Sequence, residues 1–475
     1  MTGSSTSQVL LVLPVGIPWV LAAVLALLDG RRRWVGLLAA AGLGASFVSL
    51  VWLAFVVLTE GPITTVAGGW PENVGISLRA DALGVVFALV CIGIILVSLL
   101  YELPLGVRWR AFPALVLLVA AGLTGLFLTG DAFNFYVFFE ISMTASFVLT
   151  GYREEDYQVR GAFVFAVVNL LGSVLFLIGI AALYSITGSL DMRVIAERAD
   201  VLEPSSMIGI AALIFAAFCL KLGLFPFHFW LPAVYVGSHA PVAAILSGAL
   251  ANIGSYGLLR FGGGILPREL EFGSTAVLVL GTASIIYGAL QAISRRDTSE
   301  VLAYSAIGQV GYVLVALGIG GAVGLSAAVI YAVVNSLNKA LLFLVAGLRG
   351  PLVGAAFAVG AFSLMGVPPA VGFIGKIAVF KAGLAASGVL QVAILVALIF
   401  LGSALSFVYA LQIYQRAFLA KEPQGGLWHK SSLWTTRALV VALAALVLAM
   451  GLWPEPLLVL GEEAATNLIE SSGSL

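Results

Sequence analysis

Charged residues are scarce in this sequence: Asp, Glu, Lys and Arg make up 10% of its 475 residues, whereas an ordinary soluble domain has about 25%. Lys plus Arg and Asp plus Glu number 23 each, so the formal net charge is +0. No basic run is longer than Arg31 to Arg33, which excludes nucleic acid as a partner. Hydrophobic residues make up 61% of the chain and the mean hydropathy is +1.12, so the composition indicates an integral membrane protein.

Cysteine and the short motifs of nucleotide and redox chemistry are also lacking. The two cysteines, Cys91 and Cys219, lie far apart in apolar stretches, as is typical of small buried hydrophobic residues. The chain has no GxxxxGK[ST], no GxGxxG that opens a helix after a strand, no CxxC, and no pair of histidines at a spacing suited to haem. We therefore expect no cofactor, no metal, and neither ATP hydrolysis nor electron transfer.

Apolar runs dominate the chain instead. A run of about 20 residues is needed to cross a hydrocarbon core of roughly 30 Å, and backbone groups in lipid must be satisfied within the segment, which favours helices. The runs lie near residues 8–28, 34–58, 82–101, 109–129, 132–151, 161–187, 205–222, 240–260, 273–293, 300–320, 323–348, 352–385, 389–416 and 434–459. This pattern predicts an all-α, polytopic membrane protein of about fourteen transmembrane helices. The first run is expected to stay in the protein as a transmembrane helix rather than to be cleaved as a signal peptide.

The loops between these runs predict an orientation, because cytoplasmic loops carry an excess of Lys and Arg. Fourteen of the 23 Lys and Arg, including Arg31 to Arg33, fall on one side, and four lie within the runs. The five on the other side are Arg79, Arg193, Arg198, Arg260 and Arg268. The richer side is expected to be cytoplasmic. Both termini are then predicted to lie outside.

Two of the predicted spans, the seventh and the twelfth, contain residues that interrupt helices. Gly223 and Pro226 follow the end of the seventh, and Pro368 and Pro369 divide 352–385, which as one helix would be about 50 Å long. The two interrupted spans are five apart. Because five is an odd number, pairing spans 4 to 8 with spans 9 to 13 would place the two groups in opposite orientation in the membrane. Inverted repeats with discontinuous helices are typical of an ion pathway.

The predicted spans divide the chain into four parts. They are three N-terminal helices (1–104), a first repeat (105–262), a second inverted repeat (263–418), and a cytoplasmic loop with the last helix and a short tail (419–475).

Glu140 and Lys221 are the charges that most need an explanation. Glu140 lies about midway along the fifth run and Lys221 follows more than a dozen apolar residues of the seventh. A lone charge there costs several kcal/mol unless it is paired, protonated or hydrated. The two are candidates for a switchable pair in a proton pathway, and the alternative is a static ion pair that fixes helix packing.

Three further lysines lie within predicted spans. Lys339 has Asn335 and Asn338 beside it, which offer donors and acceptors for a water chain, although a lysine satisfied by the two amides is the alternative. Lys376 follows the second interruption and is interpreted as a relay group at an exit or as an interface anchor. Lys381, near the end of its span, is interpreted as a side chain that reaches the interface.

His228 and His239 flank the first interruption and are auxiliary candidates. Histidine can exchange protons near neutral pH. A loop histidine beside aromatic residues is as often a hydrogen-bonded structural residue.

Several ordered motifs resemble the antiporter-like subunits shared by respiratory complex I, membrane-bound hydrogenases and Mrp-type Na+/H+ antiporters. They are TGDAFNFYVFFEISMTASFVL, LKLGLFPFHFWLP with HAPVAAILSG, NKALLFL and GVPPAVGFIGK. The resemblance covers most of the chain and is most similar to the D subunit of Mrp antiporters. It implies a subunit of fourteen helices with two inverted five-helix repeats, in the cell inner (plasma) membrane. It also implies that Glu140 pairs with Lys221 and that a hydrated axis continues past Lys339 to Lys376.

Three departures from the family pattern lie along this axis. Asn252 stands where the family often has a lysine on the eighth helix, and Asn335 is the residue nearest to a position where the family often has histidine or aspartate. Only LRGP remains of a usually longer loop after the eleventh helix. Proton transfer through the middle then requires ordered water between Lys221 and Lys339.

These observations favour a proton-translocating subunit of a multisubunit Na+/H+ antiporter, with other membrane subunits, H+, Na+ and the lipid bilayer as partners. One alternative is a proton-pumping subunit of an NADH:quinone oxidoreductase or hydrogenase-type complex. Another is a divergent subunit with a mainly structural role. In the first case the chain is an ion transporter subunit rather than an enzyme.

Overall fold

The structure is a computed structural model that describes residues 5–66, 68, 70, 75–152, 154–202, 204–386, 389–419 and 434–471. The described chain is almost entirely helical. Its helices are α1 (Ser5–Ala26), α2 (Arg33–Glu60), α3 (Ala82–Leu105), α4 (Phe112–Phe127), α5 (Ala132–Thr150), α6 (Asp156–Thr187), α7 (Met192–Asp200), α8 (Pro204–Leu222), α9 (Leu231–Gly237), α10 (Ala240–Ala244), α11 (Asn252–Gly257), α12 (Pro267–Phe272), α13 (Ser274–Ser294), α14 (Thr298–Ile319), α15 (Gly321–Ala346), α16 (Pro351–Met365), α17 (Val371–Ala385), α18 (Val389–Tyr414), α19 (Trp434–Leu452) and α20 (Glu455–Ser471). A 3-10 turn (Phe227–Trp230) and three π-helical segments (Ile245–Leu250, Leu258–Ile265 and Gln415–Leu419) complete the helical structure.

A short hairpin departs from the all-α prediction. Strand β1 (Ile63–Val66) pairs antiparallel with β2 (Ser77–Ala80), with Ile63 opposite Ala80. Strand β2 leads directly into α3, whose first turn is capped by Asp81, because the carboxylate accepts a hydrogen bond from Gly84 N at 2.9 Å. The hairpin therefore fixes the entry to one of the most apolar helices.

Twelve helical segments in the described residues are long and apolar enough to cross a membrane, so the chain is a multi-pass membrane protein. Two further predicted spans correspond to shorter helices. One is α4, and the other is divided into α16 and α17. The count of fourteen and the inverted repeats stay predictions.

Both predicted interruptions are present. Helix α8 ends at Leu222, Gly223 adopts φ +63°, and helical structure resumes only at Phe227, so Pro226 lies in the gap. Helix α16 ends at Met365, Gly366 adopts φ +78°, and α17 begins at Val371. Pro368 and Pro369 lie between them. The backbone at these gaps offers polar groups that no helix satisfies.

The C-terminal part differs from the prediction. The last span was expected to run from 434 to 459 with a short tail, but α19 ends at Leu452, before Pro454, and α20 follows as a separate helix. Asn467 on α20 accepts a hydrogen bond from Ala82 N at 3.1 Å, which ties α20 to the start of α3. The predicted cytoplasmic loop between α18 and α19 lies largely outside the described residues.

The centre of the molecule is formed by α14 and α15. The most apolar stretch of α15 is buried along its whole length, and α14 is nearly so. Helix α15 packs against α3, α10, α14, α17 and α20. Any polar side chain in the middle of α15 is therefore enclosed by protein rather than lipid.

Candidate functional site

Lys221 lies buried in the last turn of α8, immediately before the first interruption. Its Nζ donates hydrogen bonds to the main-chain oxygen of Asn169, at 2.7 Å, and to Ser173 Oγ, at 3.1 Å. The same nitrogen lies 4.0 Å from the centre of the Phe139 ring, within the range of a cation–π contact. The ammonium is thus held by α6 and α5 rather than by a carboxylate.

Glu140 is the neighbour of Phe139 on α5 and is partly buried. Its Oε1 is inaccessible to solvent and accepts no hydrogen bond, and Glu140 and Lys221 form no ion pair among the described residues. The structure therefore places Lys221 against the residue that precedes Glu140 on α5, without joining the two predicted partners. The switchable pair stays a prediction.

A small cavity with room for about one water molecule lies beside Lys221, between α6, α8 and the segment after the interruption. Asn169, Trp230 and Tyr235 are among its lining residues, and Asn169 Oδ1 is buried there without a hydrogen-bond partner. Trp230 Nε1 donates to Leu220 O at 3.1 Å, so the chain after the interruption folds back on the end of α8. The cavity offers polar groups and about the space that a single bound water requires.

Lys339 lies buried near the middle of the enclosed helix α15. Within the described chain it makes no hydrogen bond or ion pair. The side-chain oxygens of Asn335, one turn before Lys339, and of Asn338, the preceding residue, are also buried without a partner. Because buried polar groups in folded proteins nearly always have partners, this stretch of α15 suits bound water. The alternative in which the two amides satisfy Lys339 is not what the geometry shows.

Asn252 on α11 stands between Lys221 and Lys339 in the predicted order of carriers. Several hydrogen bonds fix its side chain. Its Nδ2 donates to Gly248 O at 2.9 Å and to Ser336 Oγ at 2.8 Å, with Cys91 Sγ at 3.4 Å. Ser336 lies on α15, one turn before Lys339. The asparagine therefore connects the first half of the predicted pathway to the helix that carries Lys339.

Lys376 lies buried on α17 just after the second interruption. Its Nζ donates to Met365 O at 3.0 Å and to Ser403 Oγ at 2.8 Å, and it lies 5.1 Å from the centre of the Tyr312 ring. Met365 is the last residue of α16, where carbonyl groups have no partner within the helix. The interruption thus supplies an acceptor for the lysine. Lys381, five residues further along α17, is exposed, and its position at the membrane interface stays a prediction.

A polar cluster next to Lys376 was missed by the sequence reasoning. Its members come from α14, α15 and α18 and are Ser305, Gln309, Tyr331, Ser406 and Tyr409. Tyr331 OH donates to Gln309 Oε1, and Gln309 Nε2 donates to Tyr409 OH at 3.2 Å. The spacing of Ser305, Gln309 and Tyr312 along one face of α14 was the signal that could have found it.

The two candidate histidines have separate partners. His228 Nε2 is hydrogen-bonded to Tyr287 OH at 2.8 Å. His239 Nδ1 lies 3.2 Å from Glu102 Oε2, and Tyr152 OH donates to Glu102 Oε1 at 2.7 Å. Neither histidine contacts one of the four candidate pathway residues.

Arg260 requires a correction, because it does not lie in a loop as the assignment to the outer side assumed. It lies buried in the π-helical end of the segment that follows α11, and its two terminal nitrogens donate to the two Asp81 oxygens at 2.7 Å each. Tyr256 OH accepts a further bond from Arg260 Nε at 3.1 Å. Such a bidentate pair satisfies both charges, so it holds the start of α3 against the segment after α11.

The three buried lysines share one property. Lys221, Lys339 and Lys376 form no ion pair with a carboxylate within the described chain. Enclosing an ammonium in protein without a counter-ion is costly, and a group that can give up its charge to water suits the role of a proton carrier. No group of three or more His, Cys, Asp or Glu side chains in the described residues could hold a metal ion.

Comparisons with known proteins agree with the resemblance seen in the sequence. A 28% identical relative, the D subunit of the Na(+)/H(+) antiporter of Alkalihalophilus pseudofirmus, matches over 97% of both chains. A putative antiporter subunit mnhD2 of Staphylococcus haemolyticus is 31% identical over 78% of this chain and 79% of its own.

Two solved structures are similar in fold. A chain of the Mrp complex from Dietzia sp. DQ12-45-1b aligns with a TM-score of 0.89 at 26% identity and covers 98% of both chains. A chain of respiratory complex I from Thermus thermophilus aligns with a TM-score of 0.76 at 27% identity, covering 94% of this chain and 98% of that one. The family model described as NADH:quinone oxidoreductase/Mrp antiporter, TM, matches residues 129–402, more than half of the sequence. The chain therefore belongs to the NADH:quinone oxidoreductase/Mrp antiporter transmembrane family.

Proposed function

We propose that this chain is a proton-translocating subunit of a multisubunit Na+/H+ antiporter in the plasma membrane. The observation that carries the proposal is the set of three enclosed lysines without carboxylate partners, two of them at interrupted helices. Support also comes from the matches to an antiporter D subunit and to a chain of an Mrp complex over nearly the whole length. Its partners are other membrane subunits, H+ and Na+.

The proposed mechanism begins with Glu140 and Lys221. When Glu140 is ionised it attracts the Lys221 ammonium, and when a proton or a cation neutralises Glu140 the lysine is released. The proton of Lys221 then passes to water in the adjoining cavity, past Asn252 and Ser336, to Lys339 and on to Lys376. Asn252 takes no proton in this scheme, and water hydrogen-bonded near it carries the charge.

We also propose the division into 1–104, 105–262, 263–418 and 419–475, with the two middle parts as inverted repeats and both termini outside. An interruption beside a buried lysine in each middle part supports it. A redox-driven proton pump is the second candidate, because a chain of respiratory complex I is similar at 27% identity. Co-purifying subunits with Fe–S or flavin groups would favour that candidate.

Replacing Glu140 by Gln should abolish ΔpH-dependent antiport, because an amide cannot attract and release the ammonium of Lys221. The measurement uses inverted vesicles that contain the complete complex, with a pH-sensitive dye that reports Na+-induced proton movement. An activity loss of about a hundredfold or more is expected, in line with the loss of an essential proton-transfer group.

Glu300→Gln is the matched control. Glu300 pairs with Arg295 at 3.2 Å in a partly exposed position, where an ion pair contributes little, so the variant should keep its activity. Retained antiport in Glu140→Gln, with normal assembly of the complex, would contradict the proposal.

A further inference from the structure

The two lysines at the interrupted helices are held in the same way by different elements. Each donates to one main-chain carbonyl and one serine hydroxyl, and each lies over an aromatic ring. For Lys221 the acceptors are Asn169 O and Ser173 Oγ on α6. For Lys376 they are Met365 O and Ser403 Oγ on two other helices. Because the same contacts occur at both interruptions on different helices, they are a recurring structural feature rather than a chance contact of one helix.

The acceptors of Lys221 are prepared by α6 itself. Ser173 Oγ donates its proton to Asn169 O at 3.0 Å, so its lone pairs face the ammonium. Between these two residues stands Gly172, where an added Cβ would lie 3.2 Å from Lys221 Cε and 3.3 Å from Leu220 Cδ2. The glycine therefore gives the lysine stem room to lie along α6. We call Asn169 O and Ser173 Oγ the α6 seat.

A second acceptor lies near the ammonium on α5. Glu140 follows Phe139, whose ring contacts Lys221 Nζ, and Glu140 Oε1 is buried without a hydrogen bond. Among the described residues, Tyr235 from α9 is the other titratable side chain that lines the cavity beside Lys221. Glu140 from α5 lies close enough to Lys221 to interact with it electrostatically, and α6 contributes the neutral groups of Asn169 and Ser173. The ammonium can thus be held either by the neutral seat or by the one nearby carboxylate.

We propose that the α6 seat is the resting position of Lys221 and competes with Glu140 for the ammonium, with Ser173 as the positioning residue. This inference rests on the proposed function, in which contact between Glu140 and Lys221 is the switch. The seat holds the lysine charged while the carboxylate is free to bind a proton or a cation. The α6 seat therefore determines how readily Lys221 moves into contact with Glu140.

Ser173→Ala tests the proposal in the complete antiporter complex. The seat stabilises only the charged amine, so its loss should move the pH of half-maximal antiport to lower values and reduce the rate by about tenfold, the equilibrium effect of one hydrogen bond to a charged group. Ser173→Thr keeps the hydroxyl and should restore the pH profile.

Ser142→Ala is the matched control, because Ser142 is buried on α5 and its hydroxyl bonds only Phe139 O of its own helix, at 2.8 Å. This variant should keep the original pH profile. An unchanged profile in an assembled Ser173→Ala complex would overturn the proposal. If that variant does not assemble, Gly172→Ala displaces the lysine stem while keeping the hydroxyl, and an unchanged profile there overturns it equally.

Glu140→Gln is measured in the same series to separate the two proposals. If Glu140→Gln is inactive and Ser173→Ala behaves as the unaltered complex, only the α6 seat is wrong. If Glu140→Gln retains antiport, the switch itself is absent and both proposals fall.

Discussion

At the scale of the residue, Lys339 is the least satisfied charge of the proposed pathway. It lies on a helix enclosed by protein, and neither it nor the side-chain oxygens of Asn335 and Asn338 have a partner in the described chain. Burying an ammonium without a compensating acceptor is unfavourable for folding. A residue that weakens the fold in this way is best explained by a role in transport.

Lys339→Met should therefore leave thermal stability unchanged or raise it, by up to about 3 kcal/mol, while it abolishes antiport. The methionine fills a similar volume and removes the cost of desolvation. Lys381→Met is the control, because Lys381 is exposed on α17 and should alter neither property. Thermal unfolding of the purified complex and antiport in vesicles are the two measurements. A large loss of stability in Lys339→Met would show that the lysine is a structural residue instead.

The residues of the pathway differ in how far they could be predicted from the sequence. A lysine within an apolar run is conspicuous, so Lys221, Lys339 and Lys376 were found. Their acceptors were not, because Ser173 and Ser403 lie 48 and 27 positions away from the lysines they bind. Serine is common in membrane helices, and only the packing of the helices decides which serine meets a charge.

At the scale of the element, the first interruption depends on Gly223. This residue has φ +63°, a backbone angle that residues other than glycine rarely adopt. A Cβ at this position would also lie 2.6 Å from Leu231 Cδ1 and 3.3 Å from Trp230 Cζ2. The turn that ends α8 beside Lys221 therefore cannot accommodate a larger residue without strain.

Gly223→Ala should destabilise the protein by about 1–3 kcal/mol, the usual cost of a residue held in an unfavourable backbone region. Gly209→Ala is the matched control on the same helix, because nothing lies within 4 Å of a Cβ there and alanine favours helix by about 1 kcal/mol over glycine. The melting temperatures of the two variants should move in opposite directions. Equal shifts would mean that the turn tolerates a side chain.

The sequence predicted the existence of elements better than their ends. Gly and Pro residues marked both interruptions, because these residues act through the local backbone. The π-helical segments on either side of α11 were not predicted, and the separate helix α20 was missed although Pro454, Glu455 and Pro456 mark its start. Arg260 was misplaced because nothing local marks its burial: its partner Asp81 lies 179 positions away.

At the scale of the whole molecule, the orientation is the property most open to a direct test. Fourteen Lys and Arg on one side against five on the other predict that the loop with Arg31 to Arg33 is cytoplasmic. Helix α2 connects this loop to the hairpin β1–β2 and has 28 residues, about 42 Å at 1.5 Å per residue. Its two ends must therefore lie on opposite sides of the bilayer.

Arg32→Cys and Glu60→Cys place single thiols at these two ends, where both side chains are exposed. The native Cys91 and Cys219 are buried, so the unaltered protein should give little background with a membrane-impermeant maleimide. In intact cells only Glu60→Cys should be labelled, and in inverted vesicles only Arg32→Cys. The opposite result would reverse the predicted orientation of every helix, because α2 shares one bilayer with all the others. It would also place the hairpin, the Asp81–Arg260 pair and the start of α3 on the cytoplasmic side.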